Sequence, residues 1–116
     1  MKKLEVFGAV KLKGRINISG SKNASLPILA ATLLSNKEIS LTNLPRVKDI
    51  RTMLLLLKSL GSTIEDRKKK ITIKNNNQLK SFASYELVKT MRAGILVLGP
   101  LLAKFGKAKV SLPGGC

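Results

Sequence analysis

Val47-Lys48-Asp49-Ile50-Arg51-Thr52-Met53-Leu54-Leu55-Leu56-Leu57-Lys58-Ser59-Leu60-Gly61 has the pattern of an amphipathic helix with its own stop signal. Val47, Ile50, Met53, Leu54, Leu57 and Leu60 recur at three- and four-residue steps and share a face, while Lys48, Arg51 and Lys58 fall elsewhere. Gly61 follows as the residue that tolerates the left-handed backbone closing a helix. Upstream, Glu38 to Thr42 alternates as a strand, and Asn43-Leu44-Pro45 breaks it before the helix. Downstream, Ser62 to Glu65 and Lys70 to Ile73 read as a β-hairpin turning through the basic run Arg67-Lys68-Lys69-Lys70. Strand, helix and hairpin in succession place the chain in the α/β (α+β) class.

Toward the N-terminus, Ala24, Leu26, Ile28, Leu29, Ala31, Leu33 and Leu34 are apolar on nearly all sides, as suits a helix packed in the core. With a start near Lys22 or Asn23, Pro27 is expected in the first turn, whose N–H groups lose no partner. Leu4 to Phe7 and Arg15 to Ser19 are short β-type runs separated by Gly8 and Gly14. Toward the C-terminus, the polar run Asn75-Asn76-Asn77-Gln78 is the best candidate boundary between structural units. Ser84 is the expected N-cap of a helix reaching Phe105 and stopping at Gly106, broken near Gly94 or Gly99-Pro100. Lys107 to Leu112 alternates as a final strand, and no internal repeat is visible.

Length and composition limit the possibilities. The 116 residues suffice for one small domain with a hydrophobic core, and 44% of them are hydrophobic. One cysteine cannot form an internal disulfide, which fits a reducing compartment. Leu4-Glu5-Val6-Phe7-Gly8 interrupts the apolar core that a signal peptide needs, so a cytoplasmic protein is expected. The longest uncharged apolar run, Ala93 to Ala103, is far short of the roughly 20 residues that span a bilayer. There are 22 Lys and Arg against 6 acids, a net charge of +16 that attracts anions. Most of these cations are scattered, and aromatic residues for base stacking are few, so the dense run at Arg67 to Lys70 reads as a solvated turn.

Two stretches carry possible chemistry. Val110-Ser111-Leu112-Pro113-Gly114-Gly115-Cys116 puts the single thiol after a short strand and a Gly-Gly pair. Such a cysteine is either a small buried hydrophobe or a reacting group on an accessible loop. Gly20-Ser21-Lys22-Asn23-Ala24-Ser25-Leu26-Pro27 lies between a strand and a helix start. There Lys22 is either a solvated surface lysine or, added to the unpaired N–H groups of the first turn, part of a site for phosphate or carboxylate.

Gly20 to Pro27, Leu44 to Met53, Val88 to Gly94 and Val110 to Cys116, in this order, closely resemble the N-terminal part of the bacterial UDP-N-acetylglucosamine enolpyruvyl transferases. The resemblance spans essentially all 116 residues. It implies transfer of the enolpyruvyl group of phosphoenolpyruvate to the 3′-hydroxyl of UDP-N-acetylglucosamine with release of phosphate, the first committed step of peptidoglycan precursor synthesis. It further implies that Cys116 is a general acid toward the methylene carbon of phosphoenolpyruvate, able also to bond covalently to its C2. Lys22 and Asn23 match residues of the phosphoenolpyruvate site, and Arg92 matches one that contacts the UDP-sugar. No cofactor, metal, membrane or nucleic-acid partner is implied.

Members of that family are several times longer and supply the base for the sugar hydroxyl from later in the chain. The 116 residues are therefore expected to be an N-terminal piece, inactive alone. The family fold is a pair of inside-out α/β barrels built from βαβαββ units. By that resemblance, residues 1–20 are strands packing with the C-terminal part of the longer chain, and 21–116 begin the first domain. The alternatives are an enolpyruvyl transferase of the shikimate pathway, disfavoured by Asn23 and the Gly-Gly-Cys loop, and a small basic nucleic-acid-binding protein.

Overall fold

A computed structural model of the chain describes residues 2–76, 79–83, 85–89 and 91–111, with the backbone alone at Tyr85 and Arg92. It is an α+β arrangement. Helix α1 (Lys22–Ala31) runs into a 3-10 turn (Thr32–Leu34), followed by strand β1 (Ile39–Thr42), helix α2 (Lys48–Leu60), and strands β2 (Ser62–Arg67) and β3 (Lys70–Asn75). After these come a two-residue strand β4 (Phe82–Ala83), the short helix α3 (Tyr85–Val88), a 3-10 segment (Arg92–Val97), helix α4 (Leu98–Phe105) and strand β5 (Lys109–Val110).

The antiparallel sheet has the order β1-β3-β2. Ile71 and Ile73 of β3 stand opposite Leu41 and Ile39 of β1, and both are buried, because one face of the central strand is covered by helix. Against them pack Leu29 and Leu33 from the first helical segment and Ile50, Met53, Leu56, Leu57 and Leu60 from α2. The helical period of α2 is thus confirmed with two adjustments. Leu56 joins the buried face, and Val47 sits outside the helix as its half-exposed cap residue. Gly61 closes the helix at φ 115°, its N–H reaching the carbonyls of Leu57 and Lys58.

The hairpin is longer than expected, with only Lys68 and Lys69 between its strands. Two-residue loops favour left-handed residues, and neither lysine adopts that backbone. Arg46 supports the turn from outside, donating to Asp66 Oδ1 at 2.6 Å and to the carbonyls of Arg67 and Lys68 at 2.8 and 3.1 Å.

Asn75 corrects the expected boundary at the Asn75-Gln78 run. It is the last residue of β3, only 4% exposed. Its amide Nδ2 donates to the carbonyls of Thr32 (2.6 Å) and Ser35 (2.8 Å), while its Oδ1 accepts from Ser62 Oγ (2.6 Å). One side chain therefore ties the end of the first helix to the sheet. Asn77 and Gln78 lie outside the described residues.

At the other end of α1 the tie is backbone to backbone. The Gly20 N–H donates to the Asn43 carbonyl at 3.1 Å, and Asn43 Nδ2 donates to the Ile18 carbonyl at 3.1 Å. Asn43 itself is left-handed, φ 61°. A Cβ on Gly20 would stand inside the contact distance of that carbonyl oxygen, so the approach requires glycine.

Three further expectations shift. Pro27 falls in the second turn of α1, where it deprives the Asn23 carbonyl of its intrahelical partner. The long helix after Ser84 divides earlier than expected, at an extended Met91 (φ −148°, ψ 112°), and Pro100 is absorbed in the first turn of α4. Finally, β4 pairs in parallel with β5, Phe82 opposite Lys109 and Ala83 opposite Val110, across the helical crossover that a parallel pair requires. The runs Leu4 to Phe7 and Arg15 to Ser19 pair with no described strand. The apolar side chains Leu4, Val6, Phe7, Val10, Leu12, Ile16 and Ile18 are 71–89% exposed.

Substitutions at two positions test these ties. Asn75→Ala leaves buried carbonyls and a hydroxyl without their partner and is expected to cost about 3 kcal/mol in urea unfolding followed by circular dichroism. Asn75→Asp is expected to be no better, because a carboxylate would face two carbonyl oxygens; stability within about 0.5 kcal/mol of the parent contradicts the tie. Gly20→Ala is expected to lower the melting temperature by roughly 10 °C, on the order of 2 kcal/mol. Gly8→Ala, with nothing within 4 Å of the added methyl, serves as the control and should shift it by no more than about a degree.

Candidate functional site

The Gly20–Asn43 tie fixes where α1 begins. Ser21 takes the extended N-cap conformation (φ −83°, ψ 131°), and its Oγ accepts from the Ala24 N–H at 3.3 Å. Its carbonyl accepts from the Ser25 N–H (2.9 Å) and from Ser25 Oγ (2.6 Å). Lys22 and Asn23 are the first two helical residues, both exposed, and their N–H groups have no carbonyl four residues back within the helix. No acid occupies the first turn of α1. The positive end of the helix and the Lys22 side chain therefore lie together at the surface, as an anion site needs.

A second helix start faces this one. Asp49, in the first turn of α2, places Oδ2 3.3 Å from Lys22 Nζ; the side chains are 37% and 47% exposed. An ion pair this open contributes about 0–1 kcal/mol to stability, so its interest lies in where it holds the ammonium. The sequence reading did not single out Asp49. Its one signal was an acid in a predicted first turn, which a helix dipole alone accounts for.

The 3-10 segment that opens at Arg92 packs against α1, the helix that begins with Lys22 and Asn23. Gly94, in that segment, is buried against Val88, whose Cγ1 would lie 3.0 Å from an added Cβ. Cys116 lies outside the described residues, as does the rest of its loop from Leu112. What is described is the approach to it: β5 reaches Val110, and the Ser111 N–H donates to the Ala83 carbonyl at 3.3 Å. Lys22 and Asn23 thus share the exposed first turn of α1, and the segment that opens at Arg92 packs on the same helix.

Near the site is an open cleft of about 300 Å³ lined by Asn43, Leu44, Arg46, Lys68, Lys69 and Lys70, which shares Asn43 with the Gly20 tie. Among the described residues, no helix is long and apolar enough to cross a membrane.

Known proteins resemble this chain in sequence and in fold. A protein of Pelagibacter ubique (strain HTCC1062) named UDP-N-acetylglucosamine 1-carboxyvinyltransferase is 84% identical over all 116 residues. Proteins of the same name from Sulfurovum sp. (strain NBC37-1) and Cellvibrio japonicus (strain Ueda107) are 54% and 55% identical, again along the whole chain. The chain spans 28% of the length of each of these three relatives. Its fold is that of the crystal structure of the enolpyruvyl transferase NikO from Streptomyces tendae, with a TM-score of 0.70 at 17% identity over 85% of this chain and 23% of that one. The family model for EPSP synthase (3-phosphoshikimate 1-carboxyvinyltransferase) matches residues 6–116, and with nearly the whole chain inside that match, the chain belongs to this family.

Proposed function

We propose that this protein transfers the enolpyruvyl group of phosphoenolpyruvate to the 3′-hydroxyl of UDP-N-acetylglucosamine, releasing phosphate, in the cytoplasm and at the entry to peptidoglycan synthesis. The observation that carries the reading is the 84% identity, over all 116 residues, to a relative of that name. The family model bears the name of a shikimate-type transferase, but relatives at 51–84% identity bear the UDP-N-acetylglucosamine name. The acceptor sugar is favoured accordingly.

The chemistry needs an acid, a base and a cradle for negative charge. The sugar oxygen bonds to C2 of phosphoenolpyruvate as a proton is added to its C3 methylene. Loss of that proton and of phosphate then restores the vinyl group on the ether product. Cys116 is the proton donor to C3 and the group that can bond to C2. Lys22 and Asn23, at the positive end of α1, receive the phosphate or carboxylate of the donor, and Arg92 contacts the UDP-sugar. The base that takes the sugar hydroxyl proton belongs to a part of the whole protein beyond these residues.

Residues 1–20 are taken as strands that pack against later parts of the whole protein, and residues 21–116 as the opening of an inside-out barrel domain. The exposed apolar side chains of 2–19 and the greater length of the relatives support this division.

The whole protein is expected to release phosphate when phosphoenolpyruvate is mixed with UDP-N-acetylglucosamine and not with 3-phosphoshikimate; the reverse preference would sink the assignment. Cys116→Ala is expected to reduce that release by about 10²–10⁴-fold or more with folding intact, as loss of a positioned proton donor does. Turnover unchanged by that substitution removes the thiol from the mechanism.

A further inference from the structure

Lys22 carries its charge on a flexible four-carbon stem, and an ammonium left to itself would be spread over many rotamers. In the structure it is held. Asp49 Oδ2 lies 3.3 Å from Lys22 Nζ, and the two residues sit on the first turns of different helices. Both helix starts are fixed independently. The beginning of α1 is set by the Gly20–Asn43 tie, and α2 is anchored from the residue after Asp49, since Ile50 is buried. The macrodipole of α2 also stabilises the Asp49 carboxylate where it is.

An ammonium has three N–H donors. Pairing with Asp49 is ionic, at 3.3 Å, and leaves N–H donors of the ammonium for an incoming anion. We propose that Asp49 is a positioning residue: it holds the Lys22 ammonium over the start of α1, so that the phosphate or carboxylate of phosphoenolpyruvate meets a charge already in place. This rests on the functional reading above, in which Lys22 receives the donor. A carboxylate so close also repels an anion directly, and the two effects have opposite signs in the affinity. The measured direction decides between them.

The test is the Kd of the whole protein for phosphoenolpyruvate by calorimetry, with no acceptor sugar present. The variants are Lys22→Ala, Asp49→Ala, Asp49→Asn and each Asp49 change combined with Lys22→Ala. Asp49→Ala is expected to weaken binding about fivefold, and Asp49→Asn, which keeps an acceptor oxygen, by about twofold. On the Lys22→Ala background either change should have no effect beyond about 1.5-fold, because a residue that acts through Lys22 has nothing left to position. Should Asp49→Ala not fold, the nearly isosteric Asp49→Asn carries the same comparison.

Unchanged or tighter binding in the Asp49 variants overturns the inference alone. An equal loss with and without Lys22 overturns it too, by showing an effect on the fold. Binding unaffected by Lys22→Ala overturns the anion site itself and this inference with it.

Discussion

The hydrogen bond from the Gly20 N–H to the Asn43 carbonyl is the contact on which the placement of the site depends. It joins the last residue before the α1 cap to the residue that follows β1, and it can form only because position 20 has no Cβ. The tie leaves the N–H groups of Lys22 and Asn23 facing outward without helical partners. At the far end of the same helical stretch, the Asn75 amide binds the carbonyls of Thr32 and Ser35. The helix is thus tied to the sheet region at both ends. One tie is deeply buried, while the other lies at the surface and fixes where α1 begins.

Those two ties also mark where reading from sequence succeeds and where it stops. Helix α2 was legible because its apolar three- and four-residue steps and its glycine stop agree with one another. The hairpin and β1 were legible from alternation for the same reason. Asn75 was misread since a run of polar residues looks like a linker unless its buried partners are known, and those partners lie 13 to 43 positions away. Strand β4 was missed because two residues have no period, and only the return of the chain at Lys109 and Val110 makes them a strand. Pro27 was placed a turn too early, which is the ordinary uncertainty of a helix boundary made consequential by a residue that cannot donate.

Of the site, the α1 start was legible and its counter-ion was not. The helix start and the cation at Lys22 are local, so sequence order alone places them together. The distance from Lys22 to Asp49 is a property of how α1 and α2 pack, and no spacing rule encodes it. Arg92 entered through resemblance and Cys116 through its place after a Gly-Gly pair, and neither side chain is among those described.

The charge follows the same division between local and global. Among the described residues Glu5, Asp49, Glu65, Asp66 and Glu86 each pair with a cation, while over the whole sequence Lys and Arg outnumber the acids 22 to 6. Some are committed to structure. Lys104 donates to the Leu33 carbonyl and to Asn36 Oδ1, and Arg46 braces the hairpin turn. The remainder produce a positive field that raises the local concentration of anions but is screened over about 10 Å at 0.1 M salt. Such a field draws a phosphorylated three-carbon acid, a nucleotide sugar or a nucleic acid alike. Discrimination has to come from features shorter than the screening length. At the start of α1 the features within that range are the Lys22 ammonium paired with Asp49, the helix end and the Gly20–Asn43 tie.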